Sequence, residues 1–77
     1  MDLCREISTL AESIMSNRQS GTSIVQMMDI ADGNGLAQSL VAAAYEEPRY
    51  STPQYQAEAI SDFRDQAYLE CYRAVSD

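Results

Sequence analysis

Residues 52–75 read TPQYQAEAISDFRDQAYLECYRAV and form the longest periodic segment of the chain. Apolar side chains recur here every three or four residues, which places them on one face of an α-helix. Thr52 is suited to the N-cap and Pro53 to the first helical position, where the missing amide of proline costs nothing. Ser51 and Gln54 form a competing capping box one residue earlier. The segment therefore predicts a long helix over about 53–75 with this apolar stripe: Ile60, Phe63, Ala67, Cys71 and Ala74.

Three shorter helices are predicted before it. The first covers residues 2–18, with Asp2 as N-cap and Gly21 as the left-handed residue that follows the C-terminus. Ser23 and Gln26 form a capping box that opens a helix of about two turns, which the glycine-rich stretch 32–35 ends. A third helix runs from Leu36 to residue 46 or 47, before Pro48. No segment alternates apolar and polar residues in the way that a β-strand does. We therefore expect one all-α domain over residues 1–77, an antiparallel bundle of about four helices.

The charge composition excludes several classes of function. The chain contains twelve Asp and Glu residues and five Arg residues, with no Lys and no His, which gives a net charge of -7. A basic nucleic-acid footprint is absent, and so are a histidine base and an imidazole metal ligand. Asp29, Asp32 and Asn34 do not match a calcium loop, because aligning Gly33 with its invariant glycine places Met28, Ile30 and Ser39 at ligand positions one, three and twelve, where none can supply the required carboxylate. We therefore predict no catalytic residues, no cofactor, no metal and no direct nucleic-acid contact.

The two cysteines lie near opposite ends of the chain. Up-down-up-down connectivity would bring Cys4, in the first turn of the first helix, close to Cys71, in the last turns of the fourth. A disulfide between them would close a loop of about 67 residues, worth about 4 kcal/mol in the loop-entropy model. The alternative is that both are small buried side chains that stay reduced in a cytosol. No apolar stretch is long enough to span a bilayer, so a cytoplasmic location is expected, or a periplasmic or secreted one if the disulfide forms.

Residues 44–55 read AYEEPRYSTPQY and are the most distinctive part of the sequence. Tyrosine and arginine are enriched at interface hot spots, because they bury a large area while a polar tip stays satisfied. Alternatively, Tyr45 and Tyr50 cover the end of the bundle and Arg49 pairs with Glu46 or Glu47. The candidate partner-binding residues are the anchors and the acidic residues that would steer a basic surface: Tyr45, Arg49, Tyr50, Tyr55, Asp62 and Asp65.

Several runs, taken together, resemble small uncharacterised accessory proteins of tailed phages and prophages. These runs are NRQSG at 17–21, AYEEPRYST at 44–52, ISDF at 60–63 and CY at 71–72, and the likeness covers most of the chain. The resemblance implies a product that acts in a bacterial host by binding a host protein and inhibiting or modulating it. Host-defence machinery, such as a CRISPR effector, is one candidate class of target.

Three functions remain open from the sequence. The first is a non-enzymatic module that binds a larger host protein with a basic surface. The second is an acidic nucleic-acid mimic that occupies a basic cleft, with part of its carboxylate row on the fourth helix: Glu58, Asp62, Asp65 and Glu70. The third is a structural role in which the chain associates with itself as a homodimer, since small domains often gain stability in this way.

Overall fold

The computed structural model describes residues 2–75, and over that range it contains four α-helices and no strand. These helices are α1 (Leu3–Ser20), α2 (Ile24–Ile30), α3 (Gly35–Glu46) and α4 (Pro53–Val75). The predicted small all-α antiparallel bundle with its longest helix last is confirmed. None of these helices is both long enough and apolar enough to cross a membrane.

A side-chain cap begins each of the first three helices. The Asp2 side chain accepts hydrogen bonds from the first amides of α1, and Gly21 adopts the left-handed conformation at its C-terminus with φ of 98°. The reciprocal capping box of Ser23 and Gln26 opens α2. Asn34 Oδ1 accepts from the Ala37 amide at 3.0 Å, so α3 begins one residue earlier than predicted. Asn34 therefore has a local structural role.

Helix α1 is the central element of the bundle. It packs against α4 along most of its length and against α3, whereas α2 packs chiefly on α3. Half of the buried core consists of alanine, which lets helices approach closely but contributes little side-chain volume. The core residues are Ala11, Ile14, Met15, Met27, Ala31, Ala37, Val41, Ala44, Phe63 and Ala67.

A disulfide joins Cys4 to Cys71, with their Cα atoms 5.4 Å apart. It links the first turn of α1 to the last turns of α4, which is possible because these two helices run antiparallel. Of the two states that the sequence left open for the cysteines, the structure contains the oxidised one. The bond compensates for a small core by restricting the unfolded chain.

Candidate functional site

A groove of about 450 Å³ lies between the α3–α4 linker and the N-terminal half of α4. We call it the aromatic-acidic groove. The linker contributes one wall and successive turns of α4 contribute the other, so residues distant in sequence share one surface. The lining residues are Glu47, Tyr50, Tyr55, Glu58, Ala59, Asp62, Phe63 and Gln66.

Two tyrosines form the aromatic part of this groove. The ring centroids of Tyr50 and Tyr55 are 6.0 Å apart and the rings are tilted by 49°. Tyr50 is 38% exposed and Tyr55 is 57% exposed, while Phe63, which also lines the groove, is buried. Both phenol rings therefore remain accessible to a partner over an apolar base.

The groove carries negative charge that no lining residue balances. Its carboxylates belong to Glu47, Glu58 and Asp62, and no arginine is among the lining residues. The nearby Arg49 points elsewhere, because its Nε donates to the Gln19 carbonyl at 3.3 Å. Ionised carboxylates in a concave surface raise the local concentration of cationic groups.

A buried amide fixes the linker wall of the groove. Gln19 is only 2% exposed. Its Nε2 donates to the Pro48 carbonyl at 2.9 Å, and its Oε1 accepts from the Tyr50 amide at 2.8 Å. Gln56 Nε2 donates to the Tyr50 carbonyl at 2.7 Å. The backbone of Tyr50 is thus held from α1 on one side and from α4 on the other.

Tyr45 has a structural role at the same end of the bundle. Its hydroxyl donates to the Thr22 carbonyl at 2.5 Å, and the Arg18 guanidinium lies 5.0 Å from its ring centroid. Arg18 also donates to the Glu47 carbonyl, at 3.1 Å from Nη2. Burial raises the pKa of Tyr45, and the positive charge of Arg18 opposes part of that rise. Tyr45 is therefore committed to contacts within the chain.

The structure brings only three of the six candidate partner-binding residues together. Tyr50, Tyr55 and Asp62 line the aromatic-acidic groove. Asp65 lies outside it and forms an ion pair with Arg64 at 2.9 Å, and Arg64 reaches Glu12 on α1 at 3.1 Å. A role of these residues in partner binding stays a prediction.

Arg49 does not form the contact that the alternative interpretation of the linker predicted. Arg49 was expected to pair with Glu46 or Glu47, but its hydrogen bond goes to the Gln19 carbonyl. The free carbonyls at the C-terminus of α1 attract the guanidinium, since the last turn of a helix carries partial negative charge. Arg18 makes the contact with Glu47 instead, and through the backbone. The lid role expected for Tyr45 agrees with its half-buried hydroxyl contact, whereas Tyr50, expected to share that role, is exposed.

A second groove of about 340 Å³ lies at the disulfide end of the molecule. We call it the apolar groove. It is bounded by the N-terminal parts of α1 and α3 and by the C-terminal part of α4, and Glu70 is its one charged lining residue. Its lining residues are Leu3, Ile7, Leu36, Leu40, Ala67, Glu70, Cys71, Ala74 and Val75.

The carboxylates of α4 do not form one continuous row. Glu58 and Asp62 lie in the aromatic-acidic groove, Asp65 pairs with Arg64, and Glu70 lines the apolar groove. Within residues 2–75, no cluster of three or more His, Cys, Asp or Glu side chains is placed to hold a metal ion. Comparison of the chain with protein-family models, with curated protein sequences and with solved structures gives no match.

Proposed function

We propose that this chain is a non-enzymatic protein-binding module whose aromatic-acidic groove binds a basic segment of a larger host protein. The observation that carries the proposal is the groove itself. Two accessible tyrosine rings stand beside three carboxylates, and no lining cation balances them. Arginine fits this combination, because its guanidinium stacks on an aromatic face and pairs with carboxylates in a fixed geometry.

The groove is also organised before a partner arrives. Gln19 and Gln56 hold the backbone of Tyr50 through hydrogen bonds of 2.8 Å and 2.7 Å. Ordering a loop on binding costs free energy, so a wall that is already fixed leaves more of the contact energy for affinity. The negative charge of the chain would speed encounter with a basic surface.

The resemblance to phage and prophage proteins supports an accessory role in a bacterial host, in which the chain binds a host protein and inhibits or modulates it. A CRISPR effector remains one candidate class of target. Structural disulfides persist in oxidising compartments. The periplasm or the exterior is therefore the proposed location of the oxidised chain, and the cytoplasm that of the reduced chain.

An arginine-rich peptide and its glutamine-substituted counterpart test the proposal in nuclear magnetic resonance titrations. We expect the arginine peptide to shift resonances of Tyr50, Tyr55 and Glu58, and the glutamine peptide to leave them unchanged. The double variant Glu58→Gln/Asp62→Asn should weaken the affinity about tenfold or more, since two charged contacts are lost.

A matched control separates the groove from net charge. The variant Asp29→Asn/Asp32→Asn also removes two negative charges, but from exposed positions outside the groove. We expect this variant to change the affinity by less than about twofold at physiological salt, because distant surface charges are screened. Equal losses in both double variants, or no shift at the groove residues, would refute the proposal.

A further inference from the structure

The carboxylates of the aromatic-acidic groove carry more charge than one basic side chain can balance. Glu47, Glu58 and Asp62 line the groove, and all three are exposed. Within residues 2–75, every ion pair involves Arg64 and an acidic residue outside the groove. A guanidinium carries one positive charge, so a partner with a single arginine would leave two of the three carboxylates unbalanced.

The positions of these residues along α4 define two separate places for a cation. An α-helix rises about 1.5 Å per residue, so Glu58 lies about 4.5 Å beyond Tyr55 along the axis and Asp62 about 10.5 Å beyond it. These three residues share one face of α4, because they are spaced by three and four. A guanidinium stacked on the rings of Tyr50 and Tyr55 is therefore close to Glu58 but about two helical turns from Asp62. Since aspartate has a short side chain, Asp62 requires a second cation.

The same surface favours a helical partner over an extended one. Glu58 and Asp62 are about 6 Å apart along the axis of α4, and two arginines four residues apart on a second helix have the same spacing. Ala59 also lines the groove, and helix axes approach to about 8 Å where the side chains at the contact are small. Residues 2–75 contain no strand, so an extended segment would have no sheet edge to pair with there. A helix satisfies its own backbone groups.

We infer that the segment bound by the aromatic-acidic groove is a helix that lies along α4 and carries two arginines four residues apart. The first arginine stacks on Tyr50 and Tyr55 and pairs with Glu58, and the second pairs with Asp62. Glu47, on the linker wall, adds negative potential at the first arginine. The inference rests on the proposed function and adds to it the number, the spacing and the conformation of the basic residues.

Three peptides of equal length test the spacing, each held helical by a hydrocarbon bridge on the face away from the arginines. The first carries arginines four residues apart. The second carries them two residues apart, which places them on different faces, and the third has glutamine in place of the second arginine of the first. We expect nuclear magnetic resonance titrations to show that the first peptide binds about tenfold tighter or more than the other two. The first and second peptides have the same charge, so charge alone would give them equal affinities.

A double-mutant cycle locates the second arginine. Asp62→Asn should weaken the first peptide about fivefold or more and the third peptide less than about twofold, because only the first peptide offers Asp62 a partner. Glu70→Gln is the matched control, since Glu70 is an exposed carboxylate of the same helix that lines the apolar groove. It should change neither affinity by more than about twofold. Both positions are exposed, so circular dichroism should report an unchanged fold for each variant.

The outcomes separate this inference from the proposed function. Equal affinities of the first and second peptides, with shifts at Tyr50 and Tyr55, would overturn the inference and leave the proposed function in place. The same conclusion follows if a flexible peptide with arginines two residues apart binds more tightly than the helical pair, or if Asp62→Asn weakens the first and third peptides equally. If none of the peptides shifts resonances of the groove, the inference and the proposed function fail together.

Discussion

The two ends of the α1–α4 pair are held together by different chemistry. At the linker end, Gln19 of α1 reaches the backbone of residues 48 and 50, and Arg18 reaches that of residue 47. At the opposite end, the Cys4–Cys71 disulfide makes the connection, and apolar side chains remain exposed around it. The linker end is a hydrogen-bonded junction, whereas the disulfide end combines a covalent bond with a hydrogen bond of 3.3 Å from the Tyr68 hydroxyl to Asp2 Oδ2.

This difference explains what each end can present to a partner. Hydrogen bonds require defined geometry at both partners, so the linker end is rigid enough to shape a polar groove. A disulfide stabilises mainly by restricting the unfolded chain and does not require surrounding side chains to be packed. The disulfide end can therefore leave an apolar groove open without losing the helix pairing.

Removing the covalent connection should have the largest effect. The double variant Cys4→Ser/Cys71→Ser should lower the free energy of unfolding by about 4 kcal/mol, because the unfolded chain regains the entropy of a 67-residue loop. Urea unfolding followed by circular dichroism measures the loss. A reducing agent should cause a similar loss in the wild type and none in the variant. An unchanged unfolding midpoint in both experiments would contradict this prediction.

Breaking the hydrogen-bonded junction should lower stability less than loss of the disulfide does, but it should disturb the linker wall of the groove more. Gln19→Ala leaves the Pro48 carbonyl and the Tyr50 amide without their partner, at a cost of about 2 kcal/mol. The exposed Gln54→Ala is the control and should cost less than about 0.5 kcal/mol. Urea unfolding measures both values.

The same variant distinguishes a positioning role from a purely structural one. If Gln19 positions Tyr50, Gln19→Ala should weaken arginine-peptide binding under conditions in which the variant is fully folded. The Cys4→Ser/Cys71→Ser variant, tested under conditions in which it is folded, should bind that peptide with the wild-type affinity. Its missing disulfide lies at the end of the bundle opposite the aromatic-acidic groove. Unchanged peptide affinity in Gln19→Ala would show that the amide stabilises the bundle without shaping the groove.

Much of the fold follows from local sequence signals. The three- to four-residue apolar spacing, together with the caps Asp2 and Ser23 and the helix-ending Gly21 and Pro48, predicted the four helices with bounds within two residues of those in the structure. Antiparallel connectivity also placed Cys4 beside Cys71 as one of two alternatives. These features depend on short-range hydrogen bonds and on helix periodicity, both of which can be read along the chain.

The organisation of the groove required contacts that periodicity does not reveal. Gln19 continues the buried row of Ala11 and Met15 at a spacing of four, and that position was the signal for its burial. Its partners, however, are backbone groups 29 and 31 residues away. Every residue has a backbone carbonyl, so the sequence does not indicate which carbonyl a side chain will contact. For this reason neither the partners of Gln19 nor the hydrogen bond of Arg49 to a carbonyl in place of a glutamate could be predicted.

The smallest expected effect concerns Tyr45, which covers the linker end. Tyr45→Phe removes the hydrogen bond to the Thr22 carbonyl and should cost about 1 kcal/mol at neutral pH. Burial raises the pKa of Tyr45 in the folded chain above its ordinary value of 10.0, so folding favours the neutral phenol. The resulting stability is fully present below pH 10 and is lost as the pH rises through the folded pKa.

Urea unfolding at about pH 8 and about pH 11 measures this dependence on either side of the ordinary tyrosine pKa. The wild type should lose more stability between these values than Tyr45→Phe does. Tyr55→Phe is the control, because its ring is exposed in the aromatic-acidic groove, and it should retain the full wild-type decline. If the free energy of unfolding of Tyr45→Phe fell as steeply between these pH values as that of the wild type, the alkaline loss of stability would not arise from Tyr45. The stability of the linker end would then depend on Gln19 and Arg18.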